Sequence, residues 1–233
     1  MVFKTIGNKS NPVILFFHAM GVIGESSMPV AEKMKEKYYD KLLNINTMGN
    51  QNWNKASTHN HPYEPTLYVA LEELFENYTL SEDDHIVDFG CGMGRLNFFI
   101  NHMFNSYVTG VEINEIYFNE ALMNKISYKN KKSKDKINFV CNLAQQYEIS
   151  PNDNKFYFFN PFSIQIFSKV IDNILQSYEN NMRDMDIIMY YPSNEYLDYL
   201  DYKTPFYFER EIQLSSLYEN DPKEKFVIYT LKC

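Results

Sequence analysis

The stretch Ile86-Val87-Asp88-Phe89-Gly90-Cys91-Gly92-Met93-Gly94-Arg95 is a short apolar run that breaks into glycine at every second position. The run reads as a buried strand, and the glycine segment after it reads as a tight turn opening a helix. Glycine there lets a backbone approach a ligand closely, and the helix start leaves N–H groups unspent. The spacing is G-x-G-x-G. A dinucleotide fingerprint is G-x-G-x-x-G, whose third glycine lets the helix pack beside a pyrophosphate. The shifted third glycine, at Gly94, suits a ligand without phosphate.

Outward from this stretch, strand and helix alternate. Strands are expected at 85–89, 107–112, 137–141, 155–160 and 186–191, and helices at 94–104, 114–127, 163–181 and 194–202. The alternation predicts a parallel sheet with helices on both faces. The end differs: Phe206 to Leu214 and Lys225 to Leu231 read as two strands joined by a polar loop with no helix between them. The expected class is therefore α/β, a doubly wound, mostly parallel seven-stranded sheet closed by a C-terminal antiparallel β-hairpin. Upstream, Thr66 to Tyr78 reads as an amphipathic helix with Leu67, Ala70, Leu71, Leu74 and Phe75 on one face and Thr66 as its N-cap. Pro29 to Tyr39 reads as a helix with proline in its first turn. Residues 40–64 are polar and asparagine-rich.

The second expected strand ends in Val111-Glu112. An acidic side chain at that point can accept both hydroxyls of a ribose. In order and spacing, the glycine loop and Glu112 resemble the class I S-adenosylmethionine-dependent methyltransferases, over about residues 60–233. The resemblance implies S-adenosyl-L-methionine as cofactor. It implies that Asp88 and the loop Gly90, Cys91, Gly92 and Gly94 hold the methionine part, that Glu112 holds the ribose, and that Ile113 packs against the adenine. After the third strand many members carry an acid for the adenine amino group. This chain reads Cys141-Asn142-Leu143-Ala144-Gln145, with Leu143 in the acidic position, so adenine passes to Asn142, Gln145 or a backbone group.

Phe158-Phe159-Asn160-Pro161-Phe162, at the end of the fourth strand, resembles the N-P-P-Y/F motif of methyltransferases acting on planar amino nitrogens, with one proline in place of two. The resemblance implies that Asn160 and the following carbonyl accept hydrogen bonds from the target amine, with Pro161 shaping the turn and Phe162 stacking on the acceptor. His61-Pro62-Tyr63-Glu64-Pro65-Thr66 would cover the cofactor, bringing Tyr63 or Glu64 to the methionine part or to the substrate. The expected function is methyl transfer to an amino nitrogen of an unidentified acceptor: a nucleic-acid base, a protein or a small molecule. The alternative is a catalytically silent cofactor-binding or interaction module of the same fold.

The net charge is −8. Phosphate affinity comes mainly from Lys and Arg releasing counterions, so this balance disfavours nucleic acid as partner and gives no support for membrane binding. The run Lys125 to Lys136 joins a helix to a strand, at the sheet edge away from ligands, and reads as a solvated loop. The three cysteines, Cys91, Cys141 and Cys233, form no CxxC and suit a reducing, cytoplasmic setting. His59 and His61 lack partners for a metal site, so no metal is expected.

Residues 1–40 read as an N-terminal extension, 41–84 as a helical lid segment, and 85–233 as the S-adenosylmethionine-binding domain. In the extension, a strand at 12–18, a loop Gly21 to Met28 and the helix after it resemble the first unit of an α/β-hydrolase. The chain contains no G-x-S-x-G elbow, so no hydrolase chemistry is expected. The run Val13 to Ile23 is too short to span a bilayer and carries His18, which argues against a signal peptide.

Overall fold

The computed structural model describes residues 28–48, 63–130, 132–215, 217–219 and 221–233. The strand, loop and hydrolase-like reading of residues 1–27, and His59 and His61, lie outside them. In chain order the elements are α1 (Met28–Leu43), α2 (Tyr68–Asn77), β1 (His85–Phe89), α3 (Arg95–Phe104), β2 (Tyr107–Glu112), α4 (Glu115–Ser127), β3 (Ile137–Cys141), β4 (Lys155–Phe159), α5 (Ile164–Asn180), β5 (Met185–Tyr190), α6 (Asn194–Lys203), β6 (Tyr207–Gln213) and β7 (Lys225–Leu231).

The seven strands form one sheet in the order β3-β2-β1-β4-β5-β7-β6. Strands β1 to β5 are mutually parallel, and β7 is antiparallel to both β5 and β6. The expected doubly wound sheet with its closing hairpin is what forms. The winding direction reverses between β1 and β4, which are paired from Ile86↔Lys155 to Phe89↔Phe158. Such a reversal opens a crevice beyond the carboxyl ends of the two strands.

Side-chain alternation divides the strands between two apolar layers. Ile86, Ile188, Phe226 and Ile228 join one layer with Tyr39, Leu71, Phe98, Phe99 and Tyr128, beneath α1 to α4. Val87, Phe89, Ile187, Met189 and Val227 join the other with Phe167, Val170, Ile174, Tyr196 and Leu200 of α5 and α6. Both faces being covered explains why β1 and β5 read as near-continuous apolar runs.

Two local expectations change. The helix expected to end at Tyr39 continues to Leu43, because Tyr39, Leu43 and then Ile45 bury into the first layer. The boundary expected at residue 40 therefore cuts through α1. Thr66 does not cap α2: the capping position is Leu67, with no side-chain bond. The Thr66 hydroxyl instead meets Tyr157 Oη at 2.8 Å, a buried polar pair that offsets the cost of desolvating both hydroxyls.

Candidate active-site cleft

The glycine loop hangs from the end of β2. The N–H groups of Gly90 and Cys91 donate to the Val111 carbonyl at 2.8 and 3.2 Å. Gly90 has φ +81°, and a Cβ there would stand 2.8 Å from Pro161 Cβ, so the loops after β1 and β4 touch only because this residue lacks a side chain. Gly92, at φ +53°, lies under the Tyr63 ring, which a Cβ would meet at 2.1 Å.

Glu112 is the last residue of β2 and is buried. Its Oε2 accepts from Gly92 N at 2.9 Å and its Oε1 from Asn114 N at 2.8 Å. Burial pushes its carboxyl above the usual range, while those N–H bonds pull the other way. The Ile113 N–H is a third backbone partner; a carboxylate has about four lone-pair sites, so acceptor capacity for a further hydrogen bond remains.

Asn160 follows β4 with φ +39°. This is left-handed backbone, which Asn tolerates better than most residues and which costs about 1–3 kcal/mol at functional sites. Among the described residues no hydrogen bond involves its side chain. The Phe162 carbonyl accepts from Tyr196 Oη, and the Tyr196 ring stacks on Phe167 at 3.7 Å, so the turn is fixed from below.

These elements enclose a cleft of about 520 Å³. Of the expected site residues, Tyr63, Gly90, Glu112, Ile113, Asn142, Leu143, Asn160, Pro161 and Phe162 line it together. Asp88, Cys91, Gly92 and Gly94 do not. Asp88 is 4% exposed, with the Asn97 amide donating to its Oδ2 at 3.0 Å while accepting from Gly110 N at 3.1 Å. Asp88 thus stands behind the loop and not on the cleft wall. Burial, reinforced by the Glu112 charge, pushes its carboxyl up to about 8. Burial likewise raises the Cys91 thiol, whose sulfur packs on Gly110. Gly94 sits at the N-cap of α3, backed by Phe139. Phe162 reaches the cleft but is 5% exposed and packs edge-on against Phe158, which leaves its ring no open face for stacking.

Tyr117, Ile166 and Tyr191 also line the cleft, unanticipated from the sequence. Tyr191 immediately follows β5, and position at the carboxyl end of a parallel strand was the available signal.

A buried network ties the loop to the N-terminal elements. Arg95, the first residue of α3, pairs with Glu36 of α1, donates to Thr47 Oγ1 at 2.8 Å and to the Thr66 carbonyl at 3.2 Å, and lies over the Tyr68 ring at 4.5 Å. Asp40 accepts from the Thr47 N–H and hydroxyl, each at 2.8 Å, and from Tyr68 Oη at 2.7 Å. Tyr63 Oη donates to the Thr47 carbonyl at 2.7 Å, fixing the ring that covers Gly92. Among the described residues no cluster of ligands fits a metal ion, and no helix is long and apolar enough to cross a membrane.

No protein-family model matches the chain. A protein-lysine N-methyltransferase from Saccharolobus islandicus (strain REY15A) is 39% identical over 64 residues, a stretch that covers 27% of this chain and 40% of that protein. The N-terminal domain of human METTL16 in complex with SAH aligns with a TM-score of 0.57 at 10% identity, over 96% of this chain and 95% of that one. The human methyltransferase 10 domain containing protein aligns at 0.55 and 11% identity, over 88% and 97%. An RNA methyltransferase from Salinibacter ruber in complex with S-adenosyl-L-homocysteine aligns at 0.50 and 16% identity, over 73% and 94%. The fold is that of the class I, Rossmann-like methyltransferases.

Proposed function

We propose that this chain is an S-adenosylmethionine-dependent methyltransferase that places the methyl group on an amino nitrogen. The observation that carries the reading is the meeting, in one cleft at the β1/β4 reversal, of a ligand-sized loop, an acid at the end of β2 and the unspent Asn160 side chain. The residues fit the cofactor. Glu112 keeps acceptor capacity for a ribose hydroxyl beside its three backbone N–H partners, Gly90 leaves the loop bare, and Ile113, an apolar side chain 43% exposed at the cleft wall, offers a face to a purine.

Bound there, the cofactor would supply a methyl group on a sulfonium, an electrophile that needs little further activation. The work of the protein is then alignment and exclusion of water. Asn160 Oδ1 accepts a hydrogen bond from the target amine and turns its lone pair toward the methyl carbon. The strained backbone at Asn160 fits such a role, since strain persists where the surroundings over-determine a functional geometry. It also argues against the silent-module alternative. Tyr191 and Phe159 supply the more open aromatic faces for a flat or aliphatic acceptor, in place of the buried Phe162. Among the described residues, the only charged side chains lining the cleft are Glu64 and Glu112, which favours a neutral or cationic acceptor group over a phosphodiester at this point.

The test is transfer of labelled methyl from S-adenosylmethionine into the protein, RNA and small-molecule fractions of a cell extract. One fraction is expected to take up label. Asn160→Gly removes the side chain while relieving the backbone. It should cut that labelling by about a hundredfold through loss of alignment, with S-adenosylhomocysteine affinity within about twofold of the parent. Labelling that survives Asn160→Gly would make the segment structural.

A further inference from the structure

Resting on the methyltransferase reading above, we infer that Tyr191 selects the acceptor, and that what it selects is a primary ammonium on an aliphatic stem, as a lysine side chain carries.

Tyr191 is placed by a break in strand alternation. Along β5, Met189 belongs to the layer under α5 and α6 and Tyr190 to the layer under α1 to α4, so the next side chain should return to the Met189 side. Instead Tyr191 takes φ +51° and packs on the Tyr190 side. Left-handed backbone is an outlier for a residue of this bulk. The last pair between β4 and β5 is Phe159↔Tyr190. Asn160 and Tyr191 each stand one residue beyond it, both left-handed, and both line the cleft. The turn is held from outside: Tyr191 N donates to the Lys225 carbonyl at 3.0 Å, and its Oη donates to Asp221 Oδ2 at 2.6 Å.

Hydrogen-bonding capacity then narrows the guest. The Tyr191 and Tyr63 hydroxyls are spent, on Asp221 and on the Thr47 carbonyl. The bond to Asp221, then burial, then the charges of Asp221, Glu224 and Glu64 push the Tyr191 hydroxyl up to about 12, which puts Glu64 beside this ring. Glu64 lines the cleft, and among the described residues no hydrogen bond involves its side chain. This end thus offers the Glu64 carboxylate and Asn160 Oδ1 as acceptors, with the Asn160 amide as donor. A nucleobase carries ring nitrogens or carbonyls beside its amino group and needs donors in return. An ammonium has three donors and no acceptor. The ring face also attracts a cation. Lys223 Nζ already stands 5.7 Å from the Tyr191 centroid, one positive charge against the three carboxylates of Glu64, Asp221 and Glu224. Phe159, 4.5 Å from the Tyr190 ring, lines the same cleft and gives the aliphatic stem an apolar surface. In the transfer, the ammonium gives one proton to solvent at the exposed Glu64 edge. The freed lone pair forms the N–CH3 bond as the C–S bond breaks with its electron pair going to sulfur, and the product is a secondary ammonium.

The experiment extends the labelling of cell-extract fractions by the full chain. Label is expected in protein, recovered after acid hydrolysis as methylated lysine, or in the small-molecule fraction as a methylated aliphatic amine; the two fractions tell the sources apart. Prior acetylation of primary amines with acetic anhydride should abolish it. With the labelled fraction as acceptor, Tyr191→Asn, which removes the ring and suits the left-handed backbone, should raise the half-saturating concentration about tenfold. Tyr191→Phe, which keeps the ring, should stay within about threefold, and both should bind S-adenosylhomocysteine within about twofold of the parent. Label in RNA, or label that survives acetylation, would overturn the ammonium assignment while leaving methyl transfer intact. Unchanged saturation in Tyr191→Asn would overturn the role of Tyr191. A parent that labels no fraction and does not bind S-adenosylhomocysteine would overturn the methyltransferase reading itself.

Discussion

Asp88 carries a carboxyl that burial holds protonated into the neutral range. Its ordinary value is 3.8 and its folded value about 8, so between those two the folded chain keeps a proton that the unfolded chain has released. Its contribution to stability is therefore full below about pH 4 and is lost as pH rises through about 8. Denaturant midpoints should fall between pH 5 and pH 8.5, by up to about 4 kcal/mol in stability. Asp88→Asn should flatten that slope; an equal slope in the variant would place the proton elsewhere. Glu112 invites the opposite use of a carboxylate. Glu112→Ala removes a charged acceptor worth roughly 1.5–3 kcal/mol, so S-adenosylhomocysteine should bind about ten- to a hundredfold more weakly by calorimetry, and unchanged affinity would remove the ribose assignment. In sequence the two acids look alike, each near the end of an apolar strand. Parity does not separate them, since Asp88 shares a strand face with Ile86 and Glu112 with Val108, both core; position does, Asp88 lying inside its strand and Glu112 at the last residue of its own, where it meets the glycine loop.

At the scale of elements, the alternation of strand and helix was legible because period and length alone specify it, and β1 to β5 fall within a residue of expectation. The closing hairpin was legible from the missing helix between its strands. What pattern could not give is the docking of α1 on α3. Arg95 is 3% exposed, although arginine is almost never buried unless paired, and its partner Glu36 lies far upstream with no local signal linking them. Thr66 failed as a cap for the same reason, since the Tyr157 hydroxyl that claims it belongs to β4. A buried pair of this kind is most costly when half removed. Arg95→Met should destabilise the fold by about 3–5 kcal/mol by leaving Glu36 unpaired. Adding Glu36→Gln should recover a measurable part in urea denaturation. Recovery of nothing would mean that the hydrogen bonds to Thr47 and Thr66 matter more than the charge pair.

For the whole molecule, the division expected at residues 40 and 84 meets a core that does not divide there. Tyr39 stacks on Tyr68 at 4.7 Å and meets Phe99 edge-on at 5.3 Å, so α1, α2 and α3 share one aromatic cluster. Tyr78 donates to Asp186 of β5 at 2.6 Å, and Tyr63 lies on Gly92. A chain beginning at residue 85 would uncover Phe99 and Tyr157, and it would leave Arg95 without Glu36 or Thr47. Uncovering several large buried side chains at about 1.5–3 kcal/mol each exceeds what a fold of ordinary stability, about 5–15 kcal/mol, can lose. The 85–233 chain should therefore lack the near-ultraviolet dichroism of fixed aromatic packing and fail to bind S-adenosylhomocysteine, while a chain of residues 28–233 keeps both. Parent-like binding by the shorter chain would make residues 28–84 an appendage to the cleft. Its absence, with the longer chain intact, would make α1, α2 and the Tyr63 segment part of the same folding unit as the sheet, their polar network fixing the backbone on which the cleft is built.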